Sequence, residues 1–127
     1  MTLRLDTRAL IWWDGDADRL PRPVFDAIQD PGNAVRVSVV SLWEMQIKVM
    51  LGKLALRTSL EQTLDDQEAN GISVLGLTTA HILALSSLPA HHRDPFDRML
   101  VAQAIAENAV LVTGDRVLSN YPARTLW

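Results

Sequence analysis

The amino-acid sequence predicts an α/β fold in which helices cover both faces of a central parallel β-sheet. Short candidate strands alternate with candidate helices along the whole chain. Several of these strands are continuous apolar runs, which is typical of parallel strands buried on both faces. The chain has 127 residues, enough for one substantial core, and contains no repeat, linker or low-complexity tract. We therefore expect a single domain spanning residues 1–127.

The first part of the chain is predicted to run strand, helix, helix, strand. Thr2–Leu5 is a short apolar strand that ends at Asp6, and Thr7–Trp13 is a brief helix that stops at an Asp-Gly-Asp turn. Pro23–Gln29 is a second small helix, closed by a turn of Asp, Pro, Gly and Asn. Val35–Val40 is β-branched and largely apolar, which favours a buried strand.

Two apparent capping boxes predict the helices in the middle of the chain. Ser41 and Glu44 have the S-x-x-E spacing and would start a helix that ends at Leu51, just before a glycine. The same spacing begins the predicted helix over Thr58–Asn70. Glu44 would then lie in the first turn of its helix.

The last part of the chain is predicted to contain three strands and two helices. We expect strands at Ile72–Leu75 and Ala109–Thr113, and a final edge strand at Arg124–Trp127. Thr78–Ser87 should form a helix that ends before a proline, and a longer helix should run over Pro95–Asn108.

The composition excludes several classes of protein. Without cysteine the chain has neither disulfides nor a thiolate zinc site, and a net charge of −3 argues against binding through a large basic surface. Charged residues interrupt the N-terminal apolar residues, and no stretch is long enough to span a membrane, so we expect a cytoplasmic protein. The glycine loops of nucleotide-binding proteins and the G-x-S-x-G of serine hydrolases are absent.

The helix predicted to begin at Pro95 places a carboxylate on its buried side. Asp94 is positioned to cap this helix, and Pro95 occupies the first helical position, where a missing N–H costs nothing. On a helical wheel Asp97 shares its sector with Leu100 and Val101. A buried charge of this kind requires an explanation.

Topology predicts that four acidic residues lie together. In a parallel sheet with right-handed crossovers, helix starts gather at the carboxyl ends of the strands. Two of the acids follow predicted strands, and the other two lie in the first turns of predicted helices. These residues are Asp6, Glu44, Asp97 and Asp115.

Each acid alone also has a structural interpretation. Glu44 can belong to a capping box or pair with Lys48 four residues later, and the three aspartates can complement helix dipoles. Together, however, crowded carboxylates raise one another's pKa and destabilise the fold unless a cation neutralises them. Oxygen ligands suit Mg²⁺ or Mn²⁺, so the sequence predicts a site for one of these metals.

The histidines are not expected to bind this metal. His81 lies in a largely apolar helix and is interpreted as a hydrogen-bonded structural residue. His91 and His92 adjoin the turn at Asp94, and adjacent residues rarely converge on one ion.

The sequence resembles PIN-domain proteins, and specifically the VapC type of toxin ribonuclease. The Asp-Pro-Phe-Asp-Arg run followed by Ala-Gln-Ala is the most specific part of the resemblance. The segments that carry it occur in the expected order over essentially the whole chain: Leu5-Asp6-Thr7, Ser38 to Glu44, Leu88-Pro89, His92 to Arg98 and Val112 to Asp115.

The resemblance implies a three-layer α/β/α fold, Mg²⁺- or Mn²⁺-dependent cleavage of RNA, and a cognate antitoxin that blocks the site. The acidic residues of the family fall on the same four positions that the topology brings together, and Asp94 would be a peripheral acid, which we interpret as a cap. Arg8 departs from the pattern, because similar proteins often have histidine there. This difference should affect what reaches the substrate rather than metal binding.

Within such a site we expect Asp6 and Asp97 to be direct metal ligands, and Asp115 to bind directly or through water with help from the hydroxyl of Thr113. Glu44 would position or deprotonate the attacking water, or serve as a further ligand. Four arginines near the predicted rim are candidates to bind RNA phosphates, although local ion pairs, such as Arg98 with Asp94, explain them as well. They are Arg8, Arg93, Arg98 and Arg116.

Two hypotheses on partners and function remain open. Large apolar residues on the first helix and on the helix after the second strand exceed what two short helices normally hide, which favours a groove for a partner helix or a homodimer face. These residues are Trp12, Trp13, Trp43, Met45, Met50 and Leu51. The competing functional hypothesis is a non-catalytic PIN-like module that binds RNA or protein without cutting it.

Overall fold

The computed structural model describes all residues from Met1 to Trp127 and contains a five-stranded, fully parallel β-sheet. The strand order is β3-β2-β1-β4-β5. The strands are β1 (Thr2–Leu5), β2 (Ala34–Ser38), β3 (Ser73–Leu75), β4 (Val110–Val112) and β5 (Thr125–Leu126). The predicted edge position of the last strand is confirmed.

Six α-helices connect and cover the strands. They are α1 (Thr7–Gly15), α2 (Arg22–Gln29), α3 (Val39–Met50), α4 (Leu60–Ala69), α5 (Thr79–Ala84) and α6 (Pro95–Ala106). Short 3₁₀ segments follow α1, α5 and β4. No helix is both long enough and apolar enough to cross a bilayer.

Two hydrophobic clusters pack on opposite faces of the sheet, which confirms the three-layer α/β/α architecture. Because side chains alternate along a strand, Leu3 and Leu5 contribute to one cluster together with residues of α1 and α2. Leu111 of β4 contributes to the other, where it meets Leu100 and Val101 of α6. Helix α3 contributes to both clusters.

The strand order changes direction between β1 and β4, and this position determines where a ligand can bind. The chain first proceeds outward from β1 to β2 and β3, then returns to place β4 on the other side of β1. In such sheets the loops diverge at the carboxyl ends of the two central strands and leave a crevice. The backbone N–H of Asp6 donates to the carbonyl of Val112 at 3.0 Å. This hydrogen bond joins the ends of β1 and β4 beneath the crevice.

Both predicted capping boxes are wrong. Ser38 caps α3 by accepting a hydrogen bond from the N–H of Val40, and Ser41 lies buried inside the helix, so Glu44 is in the second turn rather than the first. The reason is the sheet register: Ser38 pairs with Leu75, the last residue of β3, and the chain beyond it has no strand partner. The predicted strand over 35–40 is therefore two residues too long at its end.

Smaller differences concern the ends of other helices. Ser59 rather than Thr58 caps α4, because its hydroxyl accepts the N–H of Gln62. The predicted helix over 78–87 is α-helical only to Ala84 and continues as a 3₁₀ turn. The predicted cap of α6 is confirmed, since Asp94 Oδ1 accepts the backbone N–H groups of the second and third helical residues.

Candidate metal and active site

A cavity of about 760 Å³ opens at the carboxyl ends of β1 and β4, where the strand order reverses. All four acids singled out in the sequence line it: Asp6, Glu44, Asp97 and Asp115. They come from the ends of two strands and from two helices that are distant in sequence. The structure therefore brings the predicted site residues together in one place.

Asp6 is the most enclosed aspartate of the group. It follows β1 directly and caps α1, because its Oδ1 accepts the N–H of Ala9 at 2.7 Å. The residue is 7% exposed. Burial raises the pKa of Asp6, while the hydroxyl of Thr113, the Ala9 N–H and the charge of Arg8 oppose that rise.

Glu44 is held by two donors. One carboxylate oxygen accepts the hydroxyl of Thr7 at 2.7 Å, and the other is 2.6 Å from the ammonium of Lys48. The pairing with Lys48 that the sequence offered as an alternative is therefore present, in the same side chain that lines the cavity. A fixed carboxylate beside a cavity can orient a small polar ligand such as water.

Asp97 lies in the first turn of α6, and its pKa is raised like that of Asp6. Its side chain is 23% exposed, so it is half-buried rather than fully buried as the helical wheel predicts. Burial, followed by the negative charges of Asp94 and Glu44, raises the pKa of Asp97 to about 7. This carboxylate therefore keeps its proton up to near-neutral pH unless a cation binds beside it.

Asp115 approaches the cluster from the loop after β4. Its Oδ1 accepts the N–H of Val117 at 2.9 Å, which leaves Oδ2 facing the other acids. The hydroxyl of Thr113 accepts the backbone N–H of Asp115 at 3.1 Å. Thr113 thus contacts the loop that holds Asp115, and its hydroxyl also opposes the rise in the pKa of Asp6.

His92 also lies within the acidic cluster, a position that the sequence did not predict. Its Nε2 lies 3.0 Å from Asp115 Oδ2 and 3.4 Å from Asp97 Oδ2, and these three atoms could in principle surround one ion. However, Nδ1 accepts the backbone N–H of Asp94 at 2.9 Å. A neutral ring that accepts at Nδ1 carries its proton on Nε2, so His92 donates to the carboxylates and is not itself a metal ligand in this arrangement.

The sequence contained a signal for His92 that we did not use. The histidine precedes the capping aspartate by two residues, and this short spacing lets its Nδ1 accept the N–H of that aspartate. The turn then directs Nε2 toward the first turn of α6. Only one of the two adjacent rings faces the acids, while His91 packs on Tyr121.

The chemistry of the donor set fits a hard divalent cation. Five carboxylates line one cavity, the four predicted acids and the capping Asp94. The charges of Asp94, Glu44 and Asp6 all contribute to the raised pKa of Asp97, so the groups interact. A divalent cation would remove this repulsion, and carboxylate oxygens are the ligands that Mg²⁺ and Mn²⁺ prefer. Cysteine is absent, and the one nearby histidine presents a donor.

The arginines divide into two groups. Arg8 and Arg116 line the cavity, as predicted for residues at its rim. Arg98 does not pair with Asp94 and instead donates to the carbonyl of Pro89 and to the hydroxyl of Tyr121. Arg93 is exposed outside the cavity. The predicted local pair between Arg98 and Asp94 is therefore wrong.

Comparison with known proteins agrees with this geometry. A family model described as PIN domain matches residues 4–123. Ribonuclease VapC22 from Mycobacterium tuberculosis is 27% identical over 121 residues, which are 94% of this chain and 92% of the relative.

Solved structures with the same fold are VapBC complexes. In the VapBC2 complex from Rickettsia felis, bound to a DNA fragment from its promoter, one chain matches with a TM-score of 0.75 at 18% identity and covers 100% of this chain and 99% of that one. The DNA-bound VapBC from Salmonella typhimurium gives a TM-score of 0.70 at 19% identity over 99% and 97% of the two chains. Because the family match extends over nearly the whole sequence, this chain belongs to the PIN domain family.

Proposed function

We propose that this chain is a divalent-metal-dependent endoribonuclease and the toxin of a VapBC-type toxin–antitoxin pair. The observation that carries the proposal is the convergence of Asp6, Glu44, Asp97 and Asp115 on one cavity. The similarity to Ribonuclease VapC22 supports RNA as the substrate. The raised pKa of Asp97 supports a metal site, because it reflects burial together with neighbouring negative charges that a cation would neutralise.

Asp6, Asp97 and Asp115 would hold Mg²⁺ or Mn²⁺, with Glu44 as a further ligand or as the residue that orients water. The bound cation would offset the negative charge that develops on the phosphodiester and would make water easier to deprotonate. His92, as a donor to two of the carboxylates, would keep them oriented toward the ion.

The residues of the chain then divide the work of hydrolysis. Glu44, fixed by Thr7 and Lys48, would accept the proton of the attacking water. The water oxygen would bond to phosphorus while the bond from phosphorus to one ribose oxygen breaks. The departing ribose oxygen would take up a proton from solvent water, and Glu44 would later return its proton to solvent, so that no protein side chain is modified. Arg8 and Arg116 would bind phosphate oxygens at the rim of the cavity.

The proposed partners are a cognate antitoxin and a second copy of the chain. The related solved structures are VapBC assemblies, which supports an antitoxin. Helix α3 and the residue after it leave Trp43, Met50 and Leu51 each more than 60% exposed, whereas Met45 is fully buried. These exposed side chains are candidates for contact with such partners. A toxin of this kind would act in the cytoplasm, where its RNA substrate occurs.

Incubation of the purified chain, free of antitoxin, with structured RNA tests the proposal. We expect intact RNA in EDTA and discrete fragments after addition of Mn²⁺ or, in a parallel reaction, Mg²⁺. The competing hypothesis, a non-catalytic binding module, predicts a gel shift without fragments under every condition. Formation of the same fragments in EDTA would contradict the metal requirement.

A further inference from the structure

The cavity that contains the four acids has a second, aromatic part. Trp12 of α1 lines this part of the cavity and is only half-buried. The guanidinium carbon of Arg19 lies 4.9 Å from the centre of its ring, and that of Arg8 lies 5.8 Å away. The indole of Trp12 is thus flanked by two cations at the edge of the acidic cluster.

The indole of the last residue, Trp127, extends this aromatic surface. The rings of Trp12 and Trp127 have centroids 5.7 Å apart and are inclined by 46°. Trp127 is 39% exposed, so part of its side chain remains accessible. We call the two indoles together with Arg8 and Arg19 the tryptophan platform.

Gly114 fixes the platform to the acidic cluster. A Cβ atom at this position would lie 2.6 Å from Cε2 of Trp127 and within 2.9 Å of two further indole atoms. Only a residue without a side chain therefore permits the indole to lie this close to the backbone. Because Asp115 follows Gly114 directly, the platform and the carboxylates have a fixed spacing.

Five basic side chains line the cavity beside its acids, and they can contact an anionic ligand that reaches both parts. Arg8 contributes to both, since it lies against Trp12 and also lines the cavity of the acids. Lys53 and Arg116 line the same cavity. Arg19 has a side chain that is 61% exposed and only a 3.6 Å ion pair with Asp16, so it is free to contact a ligand.

We propose that the tryptophan platform is a nucleotide subsite for single-stranded RNA, in which one base stacks on the indole of Trp12 or Trp127 and Arg8 and Arg19 contact the adjoining phosphates. This inference rests on the proposed ribonuclease function and identifies the part of the substrate that the site holds. Aromatic rings stack on every base, and arginines beside them add cation–π and phosphate contacts.

A protein segment is the less suitable occupant. A peptide that filled this surface would have to satisfy several arginines and lysines at once as well as two flat aromatic faces. One nucleotide presents both a flat ring and a negative phosphate. RNA bound in this way also continues directly into the cavity of the carboxylates, where a phosphodiester must lie to be hydrolysed.

Binding measured in EDTA tests the subsite separately from cleavage. A fluorescein-labelled, eight-nucleotide single-stranded RNA and an abasic ribose–phosphate oligomer of the same length serve as probes, with anisotropy as the measurement. The variants are Trp12→Leu, Trp12→Phe and, as a control, Leu83→Ala, since Leu83 is an exposed apolar residue of α5 and does not line the cavity. Thermal unfolding monitored by circular dichroism verifies that each variant is folded.

We expect Trp12→Leu to weaken binding of the RNA by roughly 5- to 150-fold, the range of one base–aromatic stack. Trp12→Phe should retain most of the affinity, and Leu83→Ala should remain within about twofold of the wild-type chain. The wild-type chain should prefer the RNA to the abasic oligomer, and Trp12→Leu should largely lose this preference.

Two results would overturn the subsite. The first is a folded Trp12→Leu chain that binds the RNA as tightly as the wild type, which would leave the platform to a protein partner. The second is an equal loss of affinity for both oligomers, which would indicate an electrostatic or structural role. Failure of the proposed function itself has a different signature, because RNA would then bind through Trp12 without any metal-dependent fragments.

Discussion

Polar clusters of similar composition lie at the two ends of helix α6, but only one of them has an excess of negative charge. At the N-terminal end, Asp97 lies near Asp94 and Glu44 and has a raised pKa, with His92 as a nearby donor. At the C-terminal end, Glu107 follows the last residue of the helix and its carboxylate lies 3.0 Å from Nε2 of the buried His81. Each end thus combines a histidine with an acid.

The difference lies in the balance of charge. His81 has both ring nitrogens engaged, because Nδ1 accepts the N–H of Thr78 while Nε2 lies against Glu107. At the other end more negative charge is present than the donors can neutralise. A carboxylate paired with an imidazole stabilises the fold, whereas crowded carboxylates repel one another until a cation binds between them. We therefore assign stability to the C-terminal end and metal binding to the N-terminal end.

Replacement of Asp97 should give the largest effect. We expect Asp97→Asn to lower metal-dependent RNA cleavage by roughly a thousandfold or more, because it removes a charged metal ligand. Its thermal stability in EDTA should change little near pH 4 and increase at neutral pH, because the charge of the Asp97 carboxylate is unfavourable in the folded chain. The matched control is Glu107→Gln at the other end of α6, which should leave the cleavage rate of folded protein unchanged. Near-wild-type cleavage by Asp97→Asn would remove this residue from the site.

Replacement of His81 should have the opposite profile. We expect His81→Ala to reduce the free energy of unfolding by about 2 to 4 kcal/mol, since it leaves a cavity and removes the ring that pairs with Glu107. Urea denaturation at pH 7 measures this loss. The initial rate of RNA cleavage per folded molecule, measured at low temperature, should not change. A specific loss of rate would show that the two ends are coupled.

The stability of the metal-free chain should fall as the pH rises from about 4 to 7. Asp97 keeps its proton up to about pH 7 in the folded chain but loses it near its ordinary value of 3.8 in the unfolded chain. Unfolding in this range releases a proton, so each pH unit costs up to about 1.4 kcal/mol of stability. Denaturation in EDTA across this range measures the slope, which Asp97→Asn should reduce. An unchanged slope in the variant would assign the effect to other groups.

Replacement of His92 should give a smaller effect on metal affinity. The imidazole favours the charged form of Asp97 and donates to Asp115, so His92→Ala should weaken Mn²⁺ binding by about tenfold. Isothermal titration with Mn²⁺ measures the affinity, and His91→Ala is the matched control, because that ring packs on Tyr121 outside the acidic cluster. A gain in affinity would mean that the imidazole competes with the ion for the carboxylates.

Local chemistry explains which features could be predicted from the sequence. Asp94 and Pro95 predict the start of α6, because aspartate caps helices and proline has a fixed φ. These two effects depend only on adjacent residues. The start of α3 was placed three residues late, because Ser38 and Ser41 are equally good local caps and only the pairing of β2 with its neighbours distinguishes them. Position relative to the sheet is not encoded in a four-residue pattern.

The sequence by itself determined the alternation of strands and helices and the four acids that topology gathers at one edge. Only the tertiary structure decided that His92 joins this cluster as a donor, and that Trp127 meets Trp12 beside Gly114. The physical reason is the separation along the chain between the residues that each feature depends on. Periodicity and capping depend on neighbours along the chain, whereas the direction of a ring nitrogen and the closeness of an indole to a backbone depend on contacts between segments that are far apart in sequence.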